Sequence, residues 1–304
     1  MKDFFKKIHS DNFKWYDFSL LTIAQTFLMM NVGQLAVAYV FIGILNVLSS
    51  GNPGIYLAEP FTFTMINYMV PIGTWILFVV YMLVVKPDKP ILQKLGTKAK
   101  GNTIKLFVVG LVVGFLMNMT CAVVAMLNKD IAVYFDSVHP VKDILLFIAI
   151  FIQSSSEEMA CRGFLYQKLR RSYRHPLVAI LGSSVLFGLI HIFNPGVNAL
   201  AIISIILVGL FCALIVYYFD SIWLAMAFHT AWNYTQSILL GLPNSGTVFA
   251  FSIFKLDVAS ARNSFFYDVA FGVEATGFVI VVEAVAIAIV WYLGHNKKKQ
   301  AKEL

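Results

Sequence analysis

Residues 197–218 read VNALAIISIILVGLFCALIVYY and contain no charged side chain. An apolar stretch of about 20 residues is long enough to cross the hydrocarbon core of a bilayer as a helix. Similar stretches recur along the 304-residue chain, in which hydrophobic residues make up 59% and charged residues only 13%. Soluble proteins carry about 25% charged residues. The composition therefore excludes an ordinary soluble domain and predicts an integral membrane protein.

We predict an all-α bundle of about eight transmembrane helices. The expected spans are 18–47, 63–85, 104–127, 144–167, 176–193, 197–218, 222–240 and 271–293. Basic residues collect at both ends and in the second and fourth connections, in the segments 2–14, 86–105, 168–174 and 297–302. Because Lys and Arg are enriched in cytoplasmic loops, both termini are expected to be cytoplasmic.

The net charge of +7 does not call for a nucleic-acid partner, because most of the basic residues are accounted for by these membrane-flanking segments. We expect contacts with membrane lipids instead. The three cysteines, Cys121, Cys161 and Cys212, lie far apart in apolar stretches, so buried free thiols are expected rather than disulfides or a cysteine metal site.

Ionisable residues at membrane depth are few and clustered. A charged side chain there costs roughly 2.5–3.5 kcal/mol on insertion scales, so such residues usually face a protein interior or a wet cavity. Three expected spans carry them, in the sequences EEMACR from residue 157, FGLIH from residue 187 and HTAWN from residue 229. Glu283, in the last span, has no partner that the sequence reveals.

Helix geometry predicts how the side chains of the first motif are arranged. Residues four apart share a helix face, so Glu158 is expected to pair with Arg162. Glu157 points about 100° away from Glu158. The ion pair therefore neutralises one carboxylate and leaves the other free to react.

The other two motifs are expected to meet Glu157. The fourth and fifth spans form a hairpin whose basic turn is equally distant from Glu157 and His191, which places both at one depth. His229 and Asn233 share a face of the seventh span. The Phe187 ring underlies His191 by the same spacing and can orient its imidazole.

One carboxylate, two imidazoles and one amide suit amide hydrolysis. A carboxylate paired with an imidazole can activate water as a general base. The second imidazole and the amide can donate hydrogen bonds to a tetrahedral oxyanion. Two histidines and one glutamate are also a hydrolytic zinc set, so a metal held by Glu157, His191 and His229 is the alternative. The sequence has neither a His-Glu-x-x-His helix nor a Gly-x-Ser-x-Gly elbow.

These motifs, Glu-Glu-x-x-x-Arg, Phe-x-x-x-His and His-x-x-x-Asn in that order on separate spans, resemble those of the CAAX protease and bacteriocin-processing (CPBP, or Abi) family. Its members are intramembrane proteases related to the type II CAAX prenyl endopeptidases. The resemblance covers about 143–240. It implies that Glu157 and His191 activate the water and that His229 and Asn233 stabilise the oxyanion. It assigns Glu158, Arg162 and Phe187 supporting roles. It is compatible with a metal-independent glutamate mechanism, with zinc as a possible cofactor.

The resemblance divides the chain into three parts. Residues 1–142 hold the first three helices and a basic cytoplasmic loop, residues 143–240 form the catalytic core with helices four to seven, and residues 241–304 hold an interfacial outer loop, the last helix and a basic tail. No organelle signal is visible, which favours a bacterial plasma membrane.

The expected function is that of an intramembrane endopeptidase. Its substrate is expected to be a membrane-associated precursor, either a bacteriocin or pheromone leader or the CAAX-like tail of a lipid-modified protein. The alternative is a non-catalytic membrane scaffold or bacteriocin self-immunity factor that acts through a membrane protein partner. A proton-coupled transporter is disfavoured, because the chain shows no internal repeat.

Overall fold

A computed structural model describes residues 7–303, except the side chains of residues 298 and 300–303. The expected basic positions Lys2 and Lys6 and the side chains of Lys298 and Lys302 therefore lie outside the described residues. The main helices are α1 (Ser19–Leu48), α2 (Pro60–Met69), α3 (Ile72–Val84), α4 (Ile104–Leu127), α5 (Pro140–Glu158), α6 (Tyr166–Ser172), α7 (Pro176–Leu189), α8 (Ala199–Phe219), α9 (Ile222–Tyr234) and α10 (Gly277–Glu303).

Two π-helical segments and a small sheet complete this architecture. The π-helical segment Met159–Leu165 joins α5 to α6, and a second one, Thr235–Leu239, prolongs α9. Strands β1 (Val133–Phe135) and β2 (Phe254–Leu256) pair antiparallel with Tyr134 opposite Lys255. The predicted all-α architecture is confirmed, because the sheet is confined to two three-residue strands in the described chain.

Six helices of the described part are long and apolar enough to cross a membrane. They are Ser19–Leu48, Pro60–Val84, Ile104–Leu127, Pro140–Ser172, Ala199–Phe219 and Gly277–Lys297. These helices fit a multi-pass membrane protein. The count of eight spans and the cytoplasmic position of both termini stay predictions.

Several expected spans have other boundaries in the structure. The span 176–193 ends at Leu189 as a 14-residue helix, and 222–240 is α9 with its π-helical extension. The last span begins at Gly277 rather than at residue 271, because a 3-10 turn, Val273–Ala275, precedes it. The fourth begins earlier, at Pro140, since proline is favoured in the first helical turn, where its missing N–H is not needed.

Glycines allow two helix pairs to approach closely. A Cβ atom added to Gly33 of α1 would lie 2.4 Å from the carbonyl oxygen of Gly73 in α3. Gly110 and Gly114 of α4 form a Gly-x-x-x-Gly pair that faces the backbone of α9 in the same manner. Small residues at such spacing are typical of helix contacts in membranes, where backbones pack directly on one another. The α4–α9 contact holds the helix that carries His229 in place.

Two segments cover the end of the bundle that is opposite to the basic connections, which we call the distal end. They are the connection 190–198 and the connection 240–276. Asp130, just after α4, holds the longer one by accepting hydrogen bonds from Ser264 and Arg262. Burial disfavours the charged form of Asp130, but the hydrogen bonds it accepts outweigh burial and lower its pKa. The predicted interfacial loop is thus tied to the helices rather than free in solvent.

The glycine contact between α1 and α3 can be tested with two substitutions in one helix. Gly33→Ala should lower the melting temperature of the purified protein, because overpacking costs typically 1–3 kcal/mol. Gly43→Ala is the control, since nothing lies within 4 Å of the added Cβ atom. Equal melting temperatures for the two variants would contradict the close approach.

Candidate active site

The polar cluster is built on the irregular helix that follows α5. Glu158 is the last residue of α5, and Arg162 lies in the π-helical segment after it. Both side chains are fully buried, with Arg162 Nη1 at 3.0 Å from Glu158 Oε1. π-helical segments are rare and frequent at functional sites. The predicted pairing of these two residues is confirmed.

Arg162 also joins neighbouring helices. Its Nη2 donates to the carbonyl oxygen of Gly209 in α8 at 2.8 Å, and its guanidinium lies 4.4 Å from the centre of the Phe187 ring. The same ring lies 5.2 Å from the His191 ring and 5.6 Å from the His229 ring. Phe187 therefore packs against the guanidinium and both imidazoles.

One cavity of about 430 Å³ brings the predicted residues together. Glu157, His191, His229 and Asn233 all line it. The structure thus places these four side chains on a shared internal surface rather than on separate faces toward lipid. The rest of the wall comes from α1, α2, α5, the distal connections and the end of α7; its polar members are Asn31, Gln34, Asn67, Tyr68, Gln153, Asn194, Asn244, Ser245 and Thr247.

Glu157 and His191 both line this cavity, and one hydrogen bond holds each side chain. Glu157 Oε1 accepts a hydrogen bond of 2.7 Å from Gln153, and Oε2 is buried without a hydrogen-bond partner among the described atoms. His191 Nδ1 lies 2.8 Å from the carbonyl oxygen of Phe187. Since a carbonyl only accepts, Nδ1 carries the proton, and a neutral His191 has its free lone pair on Nε2.

His229 lies between the two glutamates. Its Nδ1 is 3.2 Å from Glu158 Oε1, and its Nε2 is 3.9 Å from Glu157 Oε2. An imidazole that donates from Nδ1 to a carboxylate can donate from Nε2 only when it is protonated. The net charge of this buried cluster therefore depends on the protonation of His229 as well as on Arg162.

Asn233 is held by three neighbours, which the sequence reading did not include. Its Nδ2 donates to Gln153 Oε1 at 3.1 Å and to Ser154 Oγ at 3.3 Å, and its Oδ1 accepts from Asn244 at 3.1 Å. Both amide hydrogens thus have acceptors. Donation to an oxyanion would replace one of them, and the longer bond, to Ser154, is the weaker of the two.

Glu274 is a further site residue that the sequence reading missed. Its Oε1 accepts from Trp232 Nε1 at 2.9 Å, and its Oε2 accepts from the backbone N–H of Ser245 at 2.6 Å. Trp232 and Ser245 are the chain neighbours of Asn233 and Asn244. Glu274 therefore holds together the two segments whose amides are hydrogen-bonded to one another.

The sequence holds a signal for one of these missed residues. Gln153 stands four residues before Glu157, so helix spacing alone would put it beside that carboxylate. Glu274 and Asn244 lie in an irregular connection without periodicity, and only the fold brings them to Asn233.

Glu157, His191 and His229 are not arranged as a metal centre. The described part of the chain has no group of three or more His, Cys, Asp or Glu side chains arranged to hold a metal ion. Glu158 is committed to Arg162 and His229. The zinc set Glu157, His191 and His229 does not fit this arrangement.

Comparison with known proteins agrees with the motifs. Residues 141–235 match the family model described as type II CAAX prenyl endopeptidase Rce1-like. All seven predicted site residues, from Glu157 to Asn233, fall inside this Rce1-like segment, and the predicted resemblance to CAAX proteases is confirmed. No curated protein and no solved structure matches the chain significantly.

The family match supports a function at the level of the family and covers one segment of the chain. It supports a CAAX-type intramembrane protease at the level of the family. It covers about a third of the 304 residues and leaves out α1 to α4 and α10. Ten cavity-lining residues come from outside the match, namely Phe27, Met30, Asn31, Gln34, Asn67, Tyr68, Asn244, Ser245, Thr247 and Phe249.

The buried ion pair leads to a stability prediction. Arg162→Met should lower the free energy of unfolding by about 3–5 kcal/mol, because the buried Glu158 carboxylate loses its guanidinium partner and keeps only His229. The double variant Glu158→Gln/Arg162→Met should recover much of this loss, since neither charge then remains. Melting temperatures of the purified proteins measure both effects. A double variant less stable than Arg162→Met would contradict the ion-pair account.

Proposed function

We propose that the protein is an intramembrane endopeptidase that hydrolyses a peptide bond with water activated by Glu157 and His191. The observation that carries this proposal is the shared cavity wall, where Glu157 Oε2 accepts no hydrogen bond from the described residues and Nδ1 fixes His191. A water molecule that bridges Glu157 and His191 Nε2 would donate to both. Its oxygen lone pair would then be available for attack on a carbonyl carbon.

In the proposed reaction, Glu157 takes the proton as the water oxygen bonds to the scissile carbonyl carbon. The carbonyl oxygen becomes an oxyanion. Protonated His229 donates to it from Nε2, and Asn233 donates the amide hydrogen that it otherwise shares with Ser154. Glu157 then gives the proton to the leaving nitrogen as the C–N bond breaks. The products are a carboxylic acid and an amine, and transfer of the acid proton to the amine gives a carboxylate and an ammonium group.

The supporting residues have separate proposed tasks. Glu158 fixes His229 through Nδ1, and Arg162 balances the charge of Glu158. Gln153 bridges Glu157 and Asn233, which sets the distance between the base and the oxyanion donor. Such fixed geometry is what makes an intramolecular proton transfer efficient.

The residues of the cavity wall also indicate how a substrate enters and what kind of substrate binds. The distal connections contribute Asn194, Asn244, Ser245 and Thr247, whereas none of the basic connections contributes a residue. A peptide would therefore enter from the distal end or from the lipid between α1 and α7. The amides of the wall can hydrogen-bond an extended peptide backbone. Substrates of this kind are a bacteriocin or pheromone leader and a CAAX-like tail.

The catalytic assignment can be tested with the purified full-length protein and a mixture of short peptides that includes hydrophobic leader segments and CAAX-type tails. Glu157→Gln and His191→Ala should each reduce cleavage by at least 10²-fold, because removal of a general base costs about 10²–10⁴-fold. Asp136→Asn is the control, since this exposed carboxylate pairs with Lys255 at the distal surface. Mass spectrometry of the peptides reads the result.

Three outcomes would contradict this assignment. Equal cleavage by the wild type and Glu157→Gln would exclude Glu157 as the base. Cleavage that a chelator abolishes and zinc restores would favour the metal mechanism instead. A wild type that cleaves no peptide, together with a Glu157→Gln variant that keeps the cellular phenotype, would favour the scaffold.

A further inference from the structure

Behind the catalytic wall lies a second, much smaller cavity of about 30 Å³. Its lining includes four of the proposed site residues, Phe187, His191, His229 and Asn233. The opposite side carries Glu283 of α10 and Ser204 of α8, neither of which belongs to the Rce1-like segment's three motifs. This cavity therefore joins the site to a helix outside the family match.

Glu283 has an unsatisfied atom at this cavity. The residue is 1% exposed, and Ser204 Oγ donates to its Oε1 at 2.8 Å. Its Oε2 is buried without a hydrogen-bond partner among the described atoms. Leaving a buried polar atom unpaired costs about 1–3 kcal/mol, so an occupant of the cavity is expected.

The size and polarity of the cavity indicate what fits. A buried water needs about 10–15 Å³ of space and two to four polar partners. Besides Glu283, the walls carry the polar side chains of Ser204, Ser245 and Asn233. A water can both donate and accept, so it satisfies Glu283 Oε2 whether the carboxyl is ionised or neutral.

We propose that Glu283 and Ser204 bind an ordered water in this cavity and that Glu283 thereby acts as a positioning residue for the catalytic wall. The inference rests on the proposed hydrolytic function. The water fills the space between α10 and the side chains of His191 and Asn233. It thereby keeps these two side chains from moving towards α10. Glu274, which lines the same cavity, holds Trp232 and Ser245 directly and needs no water.

This role is distinct from general packing of α10, and the chain offers a matched control. Val279 lies one turn before Glu283 in the same helix and is fully buried in an apolar cluster. Val279→Ala removes packing without touching the small cavity. Glu283→Leu removes the polar atoms at similar size, and Glu283→Gln keeps both size and hydrogen-bonding capacity.

The test compares kcat and KM for the peptides that the wild type cleaves. Glu283→Leu should lower kcat about tenfold or more at unchanged KM, because small displacements of catalytic groups cost up to about 10²-fold. Glu283→Gln should stay within about twofold of the wild type. Val279→Ala should lower the melting temperature and leave kcat unchanged. Ser204→Ala, which removes one support of Glu283, should lower kcat in the same direction.

A structural measurement shows directly whether the water is bound. An experimental structure that resolves ordered waters should show a density peak within hydrogen-bond distance of Glu283 Oε2, and this holds even if Glu283→Leu does not fold. A dry cavity overturns the proposal, and so does unchanged kcat in Glu283→Leu or an equal loss of kcat in Val279→Ala. These results differ from failure of the proposed function, in which Glu157→Gln is as active as the wild type.

Discussion

The ion pair between Glu158 and Arg162 is the contact on which the rest of the site depends. A guanidinium and a carboxylate that are both fully buried would be costly alone, and they persist because each has further partners. Arg162 reaches α8 through the carbonyl of Gly209, and Glu158 reaches α9 through His229. The pair therefore fixes three helices relative to one another. It also leaves Glu157 as the carboxylate that faces the cavity, which is the basis of the proposed chemistry.

Much of this arrangement could be predicted from the sequence because it is local. The spacing of four residues placed Glu158 beside Arg162 and Phe187 beside His191, and both contacts occur in the structure. Polar and ionisable residues are scarce at membrane depth, and this scarcity identifies Glu157, His191, His229 and Asn233 as candidate site residues. All four line one cavity. The membrane-spanning character followed from the length of the apolar stretches.

The rest depends on contacts between distant segments, which periodicity does not encode. Glu274 lies in an irregular connection, yet its two oxygens join Trp232 to Ser245. The sequence reveals no partner for Glu283, because Ser204, its donor, is 79 residues away. The π-helical segment at Met159–Leu165 cannot be read from composition either, since its residues would serve equally well in an α-helix. The ends of the spans differed for a related reason: turns and prolines, rather than hydropathy, decide where α5 and α10 begin.

The central claim is that water activated by Glu157 attacks the peptide bond directly. It is tested most directly by cleavage in water enriched in ¹⁸O, with and without hydroxylamine, followed by mass spectrometry of the new carboxyl terminus. Direct attack predicts incorporation of one solvent oxygen per cleavage and no hydroxamate product. A hydroxamate would reveal an acyl-enzyme intermediate, formed by a nucleophile such as one of the serines before Glu157, and would contradict the account.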